Sequence, residues 1–274
     1  MKTTFSLKSR HFRLHHTVTQ KNSTFTFHAH DEYEILFFLS GEVQYYIENE
    51  SFSLIPGDVL VIPPRTFHRL VTVDETICYN RMILSLSLEY CKKLLSTVPE
   101  SFVFQGVQTF YVPLGKEIDS VVKMLEDLLS FDDSPAALLA RDATVTLILL
   151  HLDRWFEKNP RKSESESKIS QILRYLDANF TRNINLDQLA DRFFISKYHL
   201  LRQFKNYTNC TLHRYVLSKR ILLAKALLRD GVSPSESAAQ CGFSSYTGFY
   251  QAFLAQTGKS PSDFLKHEQD LEKS

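Results

Sequence analysis

The chain has 274 residues, too many for one average domain and about right for two. Hydrophobic residues make up 43% and charged residues 23%, ordinary for a soluble globular protein and incompatible with a collagen-like or largely disordered chain. The net charge of +1 conceals an asymmetry: residues 160–268 carry 16 Lys and Arg against 9 Asp and Glu, a net of +7, and the remainder carries 16 against 22, a net of −6.

A basic C-terminal part joined to an acidic N-terminal part suggests a polyanion-binding module on a differently employed partner. The first sixteen residues are basic with no apolar run behind them, so no signal peptide is read there. The longest uncharged apolar run, Ala143 to Leu150, falls far short of the roughly 20 residues that span a bilayer. A cytoplasmic protein without a membrane partner is expected. The four cysteines, Cys78, Cys91, Cys210 and Cys241, form no CxxC pair and read as reduced core thiols rather than a disulfide framework or zinc finger.

From about Phe25 to Leu86 the pattern is one of short strands. Val43, Tyr45 and Ile47 alternate with polar residues; 52–55, 59–62, 68–72 and 77–84 follow. Ser40-Gly41, Asn49-Glu50, Pro56-Gly57-Asp58 and Pro63-Pro64 separate them, predicting an all-β sandwich or barrel. His28 and His30 fall on one strand face by period-2 alternation, and Glu34 shares their parity. With Gly41, Gly57, Pro63 and His68, they resemble the two motifs of the cupin barrel. That resemblance implies a candidate metal set of His28, His30, Glu34 and His68, and N/O ligands of this kind would suit Zn, Fe, Mn or Ni. The preferred reading is a pocket without a cofactor, in which His28, His30, Glu34, Tyr45 and His68 hydrogen-bond a small polar effector such as a sugar. Tyr33, Phe37, Tyr45 and Phe67 serve equally as core or as ligand-stacking residues.

Residues 116–158 change to helical period. One stripe runs through Ile118, Val121, Val122, Leu125 and Leu128-Leu129. A longer one runs through Ala137, Leu138, Arg141, Val145, Ile148, Leu149, Leu152 and Phe156. The second stripe either packs on its own barrel or forms an antiparallel dimer interface, and the dimer is favoured. Asn159 to Lys168 is polar and aperiodic and reads as a linker.

Beyond it everything is helical. Asn185 offers an N-cap with Gln188 at the capping-box position, and Leu189-Ala190 bring a small residue for close helix packing. Ser196 caps a helix whose Leu200 and Phe204 face inward. This is a helix-turn-helix pattern, with Lys197, Tyr198, His199, Arg202, Gln203 and Lys205 available to a major groove. The pattern repeats after Pro234. Ala238-Ala239 are the small residues, Gly242 ends the helix, and Ser244 or Ser245 caps a second recognition helix. Phe249 and Phe253 point inward there; Tyr246, Thr247, Tyr250 and Gln251 point outward. Thr211 to Arg229 reads as one continuous helix between the copies, about 28 Å long at 1.5 Å per residue.

The segment from Leu189 to Phe264 resembles the double helix-turn-helix domain of the AraC/XylS family of bacterial transcription regulators. The resemblance is carried by Leu189-Ala190, Ser196, Leu200, Arg202, Phe204-Lys205, Tyr215, Arg220, Ala224, Leu227-Leu228, Ala238, Gly242-Phe243, Phe249, Phe253, Gly258 and Pro261. Asn209 stands where the family usually has Gly, Pro234 and Ser237 replace aliphatic residues, and Leu254 replaces a common Lys.

The resemblance implies an α+β multidomain protein. Residues 1–115 form a cupin-like effector barrel, 116–160 a helical dimerisation region and 161–274 an all-α DNA-binding domain. It further implies double-stranded DNA, a small-molecule effector and RNA polymerase as partners of a homodimeric activator. No catalytic residues and no cofactor are expected. The alternative is a metal-dependent cupin enzyme with an appended interaction domain.

Overall fold

In the computed structural model, residues 2–9, 11–19, 26–48, 50–73, 78–97, 110–130, 134–158 and 168–272 are described. Asn49, Ile77 and all of the expected linker except Lys168 lie outside these residues, as does the side chain of Phe156. The chain divides into two compact units: Met1–Phe25 with Ala29–Glu164, and Thr26–His28 with Ser165–Ser274.

The first unit is built on two antiparallel sheets. Strands β1 (Lys2–Lys8), β2 (Phe12–Thr19), β8 (Tyr79–Leu86), β3 (Tyr33–Ser40), β6 (Asp58–Ile62) and β9 (Phe110–Pro113) form the larger sheet in that order. The smaller sheet is ordered β5 (Glu50–Leu54), β4 (Val43–Ile47), β7 (His68–Thr72). Alternation sorts the larger sheet's side chains into two cores. Ile35, Phe37, Val59, Val61, Met82 and Leu84 lie in the core shared with the helices. Leu36, Phe38, Leu60, Ile62 and Tyr79 share the other core with Val43, Tyr45, Ile47, Phe52 and Leu70 of the smaller sheet. Tyr33 and Phe37 therefore belong to the helix-side core and are not ligand-stacking residues between the sheets.

Three α-helices among the described residues complete this unit: α1 (Leu88–Thr97), α2 (Ile118–Ser130) and α3 (Pro135–Lys158). The span Pro135–Trp155 has a mean hydropathy of 1.4 and could cross a membrane by length and composition. Val145, Ile148, Leu149 and Leu152 instead join Val121, Leu125 and Leu128 in the sheet's core. The stripe assigned to a dimer interface is thus largely spent on its own barrel, because it carries the aliphatic surface that covers the strands. Leu138, expected on that stripe, is exposed, as are Leu139 and Leu147.

The second unit contains seven helices among the described residues: α4 (Lys168–Asn179), α5 (Leu186–Arg192), α6 (Lys197–Thr208), α7 (Leu212–Arg229), α8 (Pro234–Gln240), α9 (Tyr246–Thr257) and α10 (Pro261–Glu272). α7 is continuous and starts at the Thr211 cap. Leu212, Tyr215 and Val216 are buried on its first half, as are Leu200 and Phe204 of α6. On its second half Ile221, Ala224 and Leu228 pack with Ala238, Phe249, Phe253 and Phe264. Of the four free cysteines, Cys91, Cys210 and Cys241 are buried, but Cys78 is exposed and is not a core thiol. Burial pushes the Cys91 and Cys241 thiols up to about 12, so both stay protonated and unreactive.

Candidate effector and DNA-binding sites

Polar side chains gather between the two sheets of the first unit. Glu34 from β3 is buried, with Tyr45 from β4 and His68 from β7 beside it. Tyr45 Oη donates to Glu34 Oε1 at 3.4 Å, and His68 Nε2 lies 3.9 Å from the same oxygen. His30 Nε2 is 3.0 Å from Glu34 Oε2. The His30 and His68 rings meet edge-on at 5.1 Å, and Tyr45 stacks on His68 at 6.1 Å.

Both imidazoles are oriented from behind. His30 Nδ1 bonds the Glu32 carbonyl and His68 Nδ1 the Thr66 carbonyl, each at 3.0 Å. Nδ1 therefore carries the proton in each ring, and Nε2 faces the carboxylate. Burial lowers the proton affinity of His30, but the hydrogen bond and charge of Glu34 outweigh it, and the net shift is upward. Tyr45 is held well above the ordinary phenol value, first by burial and then by Glu34, so it remains a donor.

The ligand atoms of His30, Glu34 and His68 all lie within 4.8 Å of one another. His28 is not part of this group, contrary to expectation. The backbone around it forms an isolated bridge instead of a strand, its side chain is exposed, and its Nδ1 bonds Thr26 O at 3.0 Å. The alternation rule used for His28 and His30 fails because it holds only inside a strand.

Arg81, not singled out from the sequence, is buried on the face of β8 that also carries Tyr79. Its guanidinium lies 4.4 Å from the Tyr79 ring centroid and donates to Thr19 Oγ1 at 3.3 Å. The available signal was an arginine at the parity of Tyr79 and Ile83 in the strand.

In the second unit, caps position the two outward helices. Ser196 Oγ accepts from His199 N at 3.2 Å, and Ser245 Oγ from Gly248 N at 3.2 Å. Ser245 rather than Ser244 is the cap, so the second turn is one residue longer than the first. Both helices close in the left-handed region, at Asn209 (φ 55°) and Gly258 (φ 73°). Tyr198, His199, Arg202 and Lys205 on α6 are exposed, as are Ser244, Ser245, Tyr246, Thr247, Tyr250 and Gln251 at or on α9. Lys197 is exposed but pairs with Asp187 at 3.0 Å. Gln203 is only half-exposed, and its Oε1 is shielded from solvent. Asn185 accepts from Asp187 N and Gln188 N, and the reciprocal capping box occurs in the second copy, between Ser233 and Glu236.

A β-rich unit holding a buried polar cluster, followed by two capped helix-turn-helix units on a common helix, defines a ligand-binding transcription regulator. The AraC-like ligand binding domain family matches residues 14–148, and a helix-turn-helix domain family matches residues 189–267. The chain belongs to the AraC family of DNA-binding transcriptional regulators.

Among its relatives is the HTH-type transcriptional activator RhaS of Escherichia coli, 25% identical over 240 residues, covering 86% of each chain. An uncharacterised HTH-type transcriptional regulator, YbfI, of Bacillus subtilis is 26% identical over 228 residues, covering 79% of this chain and 78% of the relative. Among solved structures, ToxT from Vibrio cholerae aligns over 93% of this chain and 98% of its own, at 14% identity and a TM-score of 0.44. The relatives are regulators, and the enzyme alternative finds no support among them.

Proposed function

We propose that the chain is a homodimeric, cytoplasmic transcription activator whose N-terminal barrel binds a small polar effector of the sugar class. The observation that carries this reading is the convergence of Glu34, Tyr45 and His68 between apolar sheet walls, with His30 completing the set. A carboxylate, a phenol and two imidazoles offer donors and acceptors that match hydroxyl groups, and Glu34, Tyr45 and His68 are buried.

Ligand binding would favour the DNA-binding arrangement only through unequal affinity for the two arrangements of the protein. α6 and α9 would enter successive major grooves. Arg202, Gln251, His199, Thr247 and the exposed tyrosines would read bases, and Lys205 would hold a phosphate. Contact with RNA polymerase would follow, as the description of RhaS as an activator suggests. Leu139 and Leu147, exposed and eight residues apart on one side of α3, are the surface on which a dimer would close.

Thermal-shift screening of the full-length protein with neutral sugars and sugar acids, followed by gel shifts with selected DNA, tests the effector assignment. A hit that raises the melting temperature and loses that effect in Tyr45→Phe supports it; a hit unaffected by Tyr45→Phe and His30→Ala contradicts it. A second reading has its own support, since His30, Glu34 and His68 are close enough to share one first-row divalent cation. Stoichiometric Zn, Mn, Fe or Ni binding, lost in Glu34→Gln, would favour that reading.

A further inference from the structure

Arg220 sits on α7 between the two helix-turn-helix units. Its Nε donates to Phe180 O at 2.7 Å and its Nη2 to Arg182 O at 2.9 Å. Both acceptors belong to the turn between α4 and α5, in the first unit of the repeat. The residue between them is held from the other side. Gly242, in the turn between α8 and α9, lies so close that a Cβ there would be 1.8 Å from Thr181 O. The neighbouring Phe243 ring is 5.7 Å from the Arg220 guanidinium. Three consecutive residues of one copy are thus gripped by the spacer helix and by the turn of the other copy.

These contacts are made by groups that rotate little. A planar guanidinium fork on two backbone carbonyls fixes both distance and angle, and a backbone-to-backbone approach leaves no flexible side chain to absorb a shift. Nearby, Asp177 of α4 accepts from Tyr215 Oη at 2.8 Å and pairs with Lys219 at 3.0 Å, which ties the same end of the first copy to α7. A pair of reading helices held this way presents one separation and one relative rotation. DNA is unforgiving of error here: one added base pair moves a half-site by about 3.4 Å and turns it by about a tenth of a helical turn.

We infer that Arg220, acting with the Thr181–Gly242 contact, determines the half-site spacing that the protein accepts. It does so as a positioning residue, through the backbone of residues 180–182. This rests on the reading that both α6 and α9 contact bases.

The test uses full-length protein and sites selected by the wild type from random DNA. The half-sites are then moved one or two base pairs closer or further apart, and affinity is measured by fluorescence anisotropy. For the wild type, a one-base-pair change should weaken binding about tenfold or more, the size of a lost base contact. For Arg220→Ala that penalty should fall below about threefold, while the ranking of base changes inside each half-site is kept. Arg220→Lys, which retains donors but not the fork, should fall between. If Arg220→Ala does not fold by circular dichroism, Gly242→Ala, which forces the two turns apart, must show the same relaxed spacing.

A variant that keeps the full penalty, or that loses the same factor at every spacing, overturns the inference. Failure of the wild type to select any sequence would instead overturn the base-reading assignment on which it rests.

Discussion

Phe194 and Gly242 hold the same place in the two copies, and both have positive φ, at 54° and 81°. One is 91% exposed; the other has no room for a single methyl group. The repeat therefore demands a left-handed residue at this turn, and only the second copy also demands glycine for space. Phe194→Gly should leave stability unchanged or raise it by up to about 1 kcal/mol by relieving backbone strain. Gly242→Ala should lower it by about 2 kcal/mol or more. Urea unfolding followed by circular dichroism checks both; equal effects would contradict the asymmetry.

Lys205 is exposed on α6 and is assigned to phosphate contact. Lys205→Ala should weaken binding to all sequences alike and reduce the slope of log K against log salt by about 1. A salt titration of wild type and variant on matched specific and random DNA measures this. An unaltered slope would reject the contact.

The barrel cluster should show itself as a function of pH. Because the folded pKa of His30 is raised, its pairing with Glu34 stabilises the protein fully below the ordinary histidine value of 6.5 and is lost as pH rises through the raised value. In chelator-treated protein the melting temperature of the wild type should fall relative to Glu34→Gln across that window. His15, whose pKa burial lowers, contributes the opposite trend in both proteins and cancels in the comparison. Parallel curves would mean that the His30–Glu34 contact does not form in solution.

The helix-turn-helix repeat was legible because its signals are local. Caps, small residues and inward aromatics recur at fixed offsets, and Ser196, Asn209, Pro234 and Gly258 act as helix-end chemistry requires. The identity of the second cap was not, since Ser244 and Ser245 are chemically equivalent and only the backbone distinguishes them.

The barrel was less legible. β2 buries Phe12 and Leu14 in the helix-side core, then Thr17 and Thr19 at the opposite parity, so its pattern drifts out of phase and reads as no strand at all. α1 is short, and its cues were a Ser87 cap, whose Oγ accepts from Tyr90 N at 3.2 Å, and Glu89 in the first turn. Residues brought together by sheet pairing, such as Arg81 and Thr19, carry no mark of proximity in a single sequence.

On the proposed function, two separate helices of one chain each read their own stretch of DNA. This is tested most directly by measuring wild type, Arg202→Ala and Gln251→Ala against every single-base variant of the selected site. Each substitution should flatten discrimination over its own short run of base pairs, and the two runs should be centred about 10 base pairs apart. Loss of discrimination at the same positions in both variants, or at none in either, would contradict it.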